Sequence, residues 1–492
     1  MVTIAAAIMA RNEGRAKPTD TISNIERTLY SLFDRHTGEK WVDAVILFDT
    51  GSTDDTVELA RAVCREGGLH FHMVKGEFVD FSTSRNTLLD FADTCEDTDW
   101  LLLFDCNDVL RNGEGLRHTI EEEIKRNPGV SAMHVTQQWN NSSPFINTRL
   151  VKARSEWRYS YRVHEIIQHP TQSSIGLSRV PDMIIYQDRM ADTQDASKRR
   201  WARDAKWLEE DHARDPEDTR IMFYLSQTYM SLGEYDKALE MYRRRTEEIG
   251  MYEERYISSL EIGRIYRRKW EEAKKSGKSS VDTDMVRANA VKWFGKAWGL
   301  IKRAEPLVES AEIFERANDF SSAAQAAARA IDAVYPHDAV LWFDHDTYVY
   351  KRYMVHARTT LLHGESVVSA MGRITDTVAF ERGYKSLCMI INDPVQSHRA
   401  PKNASEMAMK YENLLGVPVE SRLFPVFGDT PRALKTLRVC NGILDTDADN
   451  ITAHRKRAAA ATRLLETWKP FMFAPSIEER DAADTGEEEE CS

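Results

Sequence analysis

The residues of this chain that could do chemistry gather where apolar runs stop. Asp99-Trp100-Leu101-Leu102-Leu103-Phe104-Asp105-Cys106-Asn107-Asp108 is a continuous apolar stretch that ends in acids and an amide. Such a run reads as a strand buried on both faces inside a parallel sheet. Open α/β sheets bind ligands outside the carboxyl ends of their strands. Oxygen donors collected there suit a hard divalent cation that also takes substrate phosphates. Asp105, Asn107 and Asp108 are therefore candidate donors for a metal–diphosphate site. The plainer reading is a polar turn after a strand, since Asn-Asp is ordinary turn chemistry. Two further apolar runs end in the same way. Val2 to Met9 leads into Arg11-Asn12-Glu13-Gly14, and Ala44 to Phe48 leads into Asp49-Thr50-Gly51-Ser52-Thr53-Asp54-Asp55. Glu13, Asp49 with Asp54, and Asp105 with Asp108 should then converge on one crevice along one sheet edge. No Gly-x-x-x-x-Gly-Lys-Ser/Thr loop is present, and no Gly-x-Gly-x-x-Gly follows the first strand, which weakens P-loop and dinucleotide readings.

The elements that must position these groups follow from periodicity. Ile22, Ile25, Leu29 and Leu32 have helical spacing within Thr21 to Phe33. Ser52 with Asp55 three residues on resembles a capping box, opening a helix through Val57, Ala60 and Cys64 that stops at Gly67-Gly68. Leu69, Phe71 and Met73 alternate as a short strand, and Leu88, Leu89, Phe91, Ala92 and Cys95 form a helical stripe. Strand and helix alternating in this way give a doubly wound α/β pattern. Alternation along the strand points Cys106 into the core.

The bulk properties narrow the classes. The chain has 492 residues, 42% hydrophobic and 29% charged, as in an ordinary soluble globular protein. Its 66 basic and 78 acidic residues give a net charge of −12, which argues against a nucleic-acid binder. The six cysteines, Cys64, Cys95, Cys106, Cys388, Cys440 and Cys491, show neither zinc spacing nor a disulfide framework, so a reducing, cytoplasmic home is expected. Val2 to Ala10 lacks a basic leader and reads as a strand, and no run is long enough to span a membrane.

An ordered set of motifs then carries a resemblance. Met9-Ala10-Arg11-Asn12-Glu13 is followed by Phe48 to Thr56, then Phe81-Ser82-Thr83-Ser84-Arg85-Asn86, then Leu103-Phe104-Asp105-Cys106-Asn107-Asp108. Arg149-Leu150-Val151, Trp157-Arg158-Tyr159 and Val163-His164-Glu165 complete it. From Met1 to Asp188 the chain resembles an inverting family 2 glycosyltransferase of the GT-A fold. The resemblance implies that Asp49 and Asp54 face the base and ribose of a nucleotide-sugar, a UDP-sugar favoured. It implies that Asn12, Glu13 and Arg85 line the same pocket. Asp105 with Asn107 or Asp108 would hold the diphosphate through Mg²⁺ or Mn²⁺, a Lewis-acid role. Asn107 stands where the family usually has an acid. Inversion needs a base near the acceptor nucleophile. Glu165 is the first choice, with Asp182 and Asp188 behind it, and His164 is a possible additional metal ligand. Arg85 has a second reading, neutralising Asp49 or Asp54. Trp139 and Trp157 either stack on an acceptor or are buried.

From about Asp195 the strand-like runs stop. Met222, Leu225, Ser226, Tyr229, Gly233, Tyr235, Ala238 and Tyr242 follow a tetratricopeptide pattern. A second unit reads Ser259, Ile262, Gly263 and Tyr266, then Ala290, Phe294 and Ala297, parted by the polar insertion Lys274 to Ser280. A third runs from Leu307, Ser310, Ala311 and Phe314 to Phe320, Ala323, Ala327 and Ala330. Ala290 and Ala323 lie close to the expected period of about 34 residues. Phe223 to Tyr229, with Arg243-Arg244-Arg245 and Glu253-Glu254, also looks like the repeat region of some peptide-modifying family 2 transferases.

The expected architecture is thus α/β plus all-α. A GT-A domain over 1–190 precedes tetratricopeptide-like repeats over 195–338, a further helical region over 339–475 and an acidic tail over 476–492. The expected activity is metal-dependent inverting transfer from a nucleotide-sugar to a protein or peptide held by the repeats. A saccharide or lipid acceptor, with repeats for assembly, is the alternative within that chemistry. An inactive transferase-like scaffold is the alternative outside it. Deleting Asp195 onward is expected to spare hydrolysis of the donor.

Overall fold

The computed structural model describes residues 1–15, 22–139, 145–171, 179–187, 194–277, 279–336, 339–392 and 404–415. Asp188, the helix start at Asp429-Thr430-Pro431, the helical stretch Ala453 to Trp468 and the acidic tail lie outside them. The chain divides into two compact units, Met1–Ile265 with His337–Phe343, and Tyr266–Pro336 with Asp344–Ser492.

The first unit opens with β1 (Ile4–Ala10), α1 (Asn24–Tyr30), β2 (Ala44–Asp49), α2 (Thr56–Glu66), β3 (His70–Lys75), α3 (Phe81–Ala92) and β4 (Trp100–Asp105). β5 (Asp108–Arg111), α4 (Leu116–Arg126), β6 (Ala132–Trp139), β7 (Phe145–Lys152), β8 (Arg158–Ser160), β9 (Ile166–Gln168) and β10 (Arg179–Gln187) follow. The main sheet runs β3-β2-β1-β4-β7-β6-β10-β5. Its first four strands are parallel, as the doubly wound pattern requires. β7 then joins β4 antiparallel and starts a mixed half. Strand order reverses at β1, which has β2 on one side and β4 on the other, and this is the place where such sheets open a binding crevice. Register fixes its edge: Ala10 pairs with Asp49, and Met9 pairs with Asp105.

Alternate residues of the same strands feed two cores. Ile4, Ala6, Ile8, Val45, Leu47, Leu102 and Phe104 pack with Ile25 and Leu29 of α1, Ala60 and Val63 of α2, and Ile120 of α4. Ala5, Ala7, Ile46, Phe48, Leu101 and Leu103 pack with Leu88, Leu89 and Ala92 of α3. Each fully buried Leu, Ile or Phe contributes about 1.5–3 kcal/mol. Burial on both faces explains why β1, β2 and β4 read as unbroken apolar runs. Cys106 is buried in the first of these cores, as alternation predicts.

Two local expectations change. The capping box lies at α1, where the Ser23 hydroxyl accepts from Glu26 N–H and the Glu26 carboxylate accepts from Ser23 N–H. α2 starts at Thr56 after Asp55, which makes no side-chain cap, because Asp55 Oδ1 accepts from Arg15 N–H instead. The insertion from Lys274 to Ser280 is shorter than its sequence suggests, since α8 takes Lys274 and Lys275 and α9 starts at Ser280.

Among the described residues helices follow: α5 (Gln194–Arg214), α6 (Thr219–Leu232), α7 (Tyr235–Glu247), α8 (Tyr252–Lys275), α9 (Ser280–Leu300), α10 (Glu305–Arg316), α11 (Phe320–Ile331), α12 (Arg352–Met371), α13 (Thr377–Asn392) and α14 (Ala404–Leu415). The repeat pattern corresponds to helix pairs. α6 ends at Gly233, whose φ of 80° closes the helix and turns the chain into α7. In the second unit, Leu307 and Ala311 of α10 are buried with Ala323, Ala327 and Ala330 of α11. The small alanines let paired helices approach closely, so the positions that define the repeat are the packed ones.

Candidate active site

Three loops meet at the carboxyl ends of β1, β2 and β4. The loop after β1 places Asn12 at φ 55°, a left-handed conformation that asparagine tolerates. Asn12 N–H donates to Ser52 Oγ at 3.0 Å, and Thr53 N–H donates to Asn12 Oδ1 at 2.8 Å. Glu13 N–H donates to Thr56 Oγ1 at 2.8 Å. Asp54 Oδ2 accepts from Gly14 N–H at 3.0 Å, and its Oδ1 accepts from the Thr56 hydroxyl and N–H. Asp49 is 1% exposed; its Oδ1 accepts from Ser52 N–H, and its Oδ2 lies 3.9 Å from Lys75 Nζ. Asn12 and Asp54 therefore stitch two strand-end loops into one wall, and Asp49 braces the second loop through Ser52.

The opposite wall is built on Asp105. Arg85, on the first turns of α3, donates through Nη2 to Asp105 Oδ1 at 2.5 Å and through Nε to Glu165 Oε1 at 2.8 Å. Arg85 thus bridges the candidate phosphate-site acid and the candidate base, not Asp49 or Asp54. Arg149, on β7, reaches Asp105 Oδ2 and Gln137 Oε1 at 3.4 and 3.3 Å. It is 9% exposed, its bonds are long, and its buried Nε finds no acceptor among the described residues. A buried guanidinium left partly unsatisfied beside a strand-end crevice is suited to an anionic ligand.

Asp108 is fully buried beneath this wall. Its Oδ2 accepts from Asp105 N–H at 2.9 Å, and its Oδ1 accepts from Gln187 Nε2 at 3.1 Å. Gln187 also donates to Asn107 Oδ1 at 2.7 Å, so one β10 side chain holds both residues of the turn. Asp108 thus supports the turn from below and does not reach into the crevice. His164 does not join the acids either. Its ring stacks on Tyr224 of α6 at 4.1 Å and 12°, and its carbonyl accepts from Arg220. Trp157 is buried, with its indole N–H on Ser131 Oγ, while Trp139 packs edge-on against Phe145. Asp182 lies on β10.

Charge is distributed unevenly. Burial would raise Asp105, but Arg85 and then Arg149 outweigh it and hold the carboxyl well below the usual carboxylate range. Burial and then Asp105 push Asp108 up to about 7. Burial also raises Glu13, and neighbouring Asp54 and Asp105 add to it against the bond from Asn24. Bonds from Thr56 and Gly14 overcome burial and lower Asp54. Lost hydration, then Arg220 and Arg200, lower His164, although the residue keeps exposed surface.

Residues 7–169 match the family model described as Glycosyl transferase family 2. This stretch is a family 2 glycosyltransferase domain. No curated protein matches the chain. Among solved structures, S. aureus TarS 1-349 in complex with UDP-GlcNAc is 10% identical, with a TM-score of 0.29 over 67% of this chain and 90% of that one. A thermophilic TPR protein of Thermus thermophilus is 12% identical, with a TM-score of 0.24 over 46% of this chain and 95% of that one. The C-terminal part of a TPR repeat-containing protein from Cytophaga hutchinsonii is also 12% identical, with a TM-score of 0.28 over 58% and 97%. Overlaps this small carry no inference about donor or acceptor. Among the described residues no helix is long and apolar enough to cross a membrane.

Arg149 and Gln187 are the site residues that sequence reasoning missed. Arg149 opened one of the motifs, but its partner emerges only from the β4–β7 pairing, where Leu102 faces Leu150. Gln187 carried no sequence signal.

Proposed function

We propose that the glycosyltransferase domain moves a sugar from a nucleotide-sugar, a UDP-sugar favoured, to a protein or peptide acceptor bound by the helical repeats, with inversion. The observation that carries this reading is the Arg85 bridge from Asp105 to Glu165, beside the under-satisfied Arg149. Asn12, Asp49 and Asp54 form the nucleoside wall, and Glu13 and Arg85 extend it toward Asp105. Arg149 donates to a diphosphate oxygen as charge builds on the leaving group. Glu165, oriented by Arg85, takes the proton of the acceptor hydroxyl or amide as that atom bonds the anomeric carbon and the bond from that carbon to the phosphate oxygen breaks. Direct displacement needs no covalent sugar–enzyme intermediate.

Among the described residues no three His, Cys, Asp or Glu side chains cluster to hold a cation, so a divalent cation would be shared between the protein and the diphosphate. Burial and neighbouring acids raise both Glu13 and Asp108, a surplus of acid that a cation would relieve. Asp105 and Asn107 would hold it, since each Asp105 oxygen has a second lone pair besides the one facing an arginine, and Asn107 Oδ1 has one besides that facing Gln187. When bound it supplies Lewis-acid stabilisation of the diphosphate. Asp108 would keep the turn in place and His164 would anchor its loop.

The test is thermal stabilisation and donor hydrolysis across a nucleotide-sugar panel, UDP-sugars first, with Mn²⁺, Mg²⁺ or chelator. One donor should stabilise the protein in a cation-dependent way, and Asp105→Ala should abolish that response while staying folded. A well-folded protein that responds to no donor would move the assignment to a scaffold, with Asn107→Asp as the first reversion.

A further inference from the structure

We propose that α5 and α6, the first helices after the transferase domain, belong to the catalytic apparatus: they position the loop carrying Glu165, with Arg220 as the central positioning residue. This rests on the reading of Glu165 as the base.

The loop is five residues long. It joins β8 to β9, which pair antiparallel with Ser160 opposite Ile166. Two of its residues are strained. Tyr161 has φ 72° and His164 has φ 52°, left-handed values that bulky side chains rarely adopt. Such conformations persist only where the surroundings over-determine them. Here the surroundings are helical. The Tyr161 hydroxyl donates to Asp218 Oδ2 at 3.0 Å, and Asp218 is the N-cap of α6. Arg162 donates to Asp211, Glu210 and the Trp207 carbonyl, all on α5. Arg220 Nη2 donates to the His164 carbonyl at 2.8 Å. Its guanidinium lies over the Tyr224 ring at 4.6 Å and the Tyr161 ring at 5.5 Å, while the His164 ring covers Tyr224. Arg220 is in turn 4.0 Å from Glu254, which is buried with Arg245.

The other side of the loop faces the chemistry. The Arg162 carbonyl accepts from Phe81 N–H at the start of α3, and Glu165 meets Arg85 four residues along that helix. The loop is thus held between α3, which carries Arg85, and the α5–α6 hairpin. Removal of α5 and α6 frees Tyr161 and His164 to relax toward ordinary backbone angles, and Glu165 moves with them. This reverses the expectation that deleting Asp195 onward spares hydrolysis.

The test uses the full chain. Arg220→Ala should lower kcat for hydrolysis of the UDP-sugar found in the panel by ~100-fold, the scale of an ångström-level misplacement of a catalytic group. Affinity for UDP itself, measured by calorimetry, should be unchanged, since the nucleoside wall lies on other loops. Arg220→Lys, which keeps one donor, should recover part of kcat. Tyr161→Phe removes a single bond to Asp218 and should give a smaller fall, and it decides the question if Arg220→Ala does not fold. Glu165→Gln separates the two ideas. Wild-type turnover in Glu165→Gln would overturn the base assignment, and the proposal with it. An inactive Glu165→Gln with unchanged kcat in Arg220→Ala, or in Tyr161→Phe if that is the folded variant, would overturn the positioning role alone.

Discussion

Replacing Arg85 by Met keeps an unbranched stem and removes the charge and its donors. Arg85 is 8% exposed and bridges Asp105 at 2.5 Å and Glu165 at 2.8 Å. Breaking a buried ion pair by deleting one partner costs about 3–5 kcal/mol, because the other charge stays behind. Two features lower the figure. The carboxylates left behind retain some solvent, with side-chain exposures of 25% for Asp105 and 18% for Glu165. Arg149 also still reaches Asp105 at 3.4 Å. The expected loss is therefore about 3 kcal/mol at neutral pH. Its pH dependence has a definite sign. In the wild type Asp105 is held below its unfolded value, so its contribution is present above about pH 4 and is lost only as pH falls through the folded pKa. In Arg85→Met the guanidinium is gone and burial dominates, so protonation relieves the penalty as the solution becomes acidic. The gap between the two proteins should narrow as the solution is acidified. Urea unfolding followed by tryptophan fluorescence measures it, since Trp100 and Trp157 are buried in this unit. A gap below about 1 kcal/mol at neutral pH, the level of a surface pair, refutes the clamp. So does a gap that fails to narrow in acid.

Two further outcomes follow from the same electrostatics. Asp108→Asn keeps an oxygen for Asp105 N–H but cannot ionise. Asp108 has its folded pKa raised to about 7, so the wild type loses stability progressively as pH rises from about 4 to about 7. Relative to Asp108→Asn it should gain stability as pH drops from about 7 to about 5 in thermal melts; a pH-independent difference contradicts the assignment. In the helices, Arg245 is fully buried and donates to Glu254 at 3.0 and 2.8 Å. Arg245→Met should cost about 3–5 kcal/mol in urea unfolding, and adding Glu254→Leu should recover most of it. A single variant as stable as the wild type would show that the pair is not held as described.

The α/β pattern was legible because β1, β2 and β4 are buried on both faces and so are apolar throughout, and their polar ends mark the crevice. The repeat pattern was legible for a related reason: Ala311, Ala323, Ala327 and Ala330 sit where helices touch, so packing is written into residue size. Short-range polar chemistry was less readable. Ser52 and Asp55 have the spacing of a capping box, yet their oxygens serve Asn12 and Arg15 about forty positions away in sequence, and the box forms at Ser23 and Glu26. Spacing alone does not say which of several donors arrives first.

By itself, the sequence determined the order of strands and helices from β1 to β4, the collection of Glu13, Asp49, Asp54 and Asp105 at one sheet edge, and the helix pairs beyond. These depend on local periodicity and on the rule that parallel strands present their ends together. Only the tertiary structure decided which charge meets which. Arg85 could have faced any of several acids; the packing of α3 on β4 gives it Asp105, and the approach of the Tyr161–Glu165 loop to α3 gives it Glu165. Likewise, β10 register brings Gln187 under Asn107, and the α5–α6 hairpin turns His164 toward Tyr224. Partners far apart in sequence are chosen by the geometry that burial imposes on the whole unit, and no residue type or spacing encodes that choice.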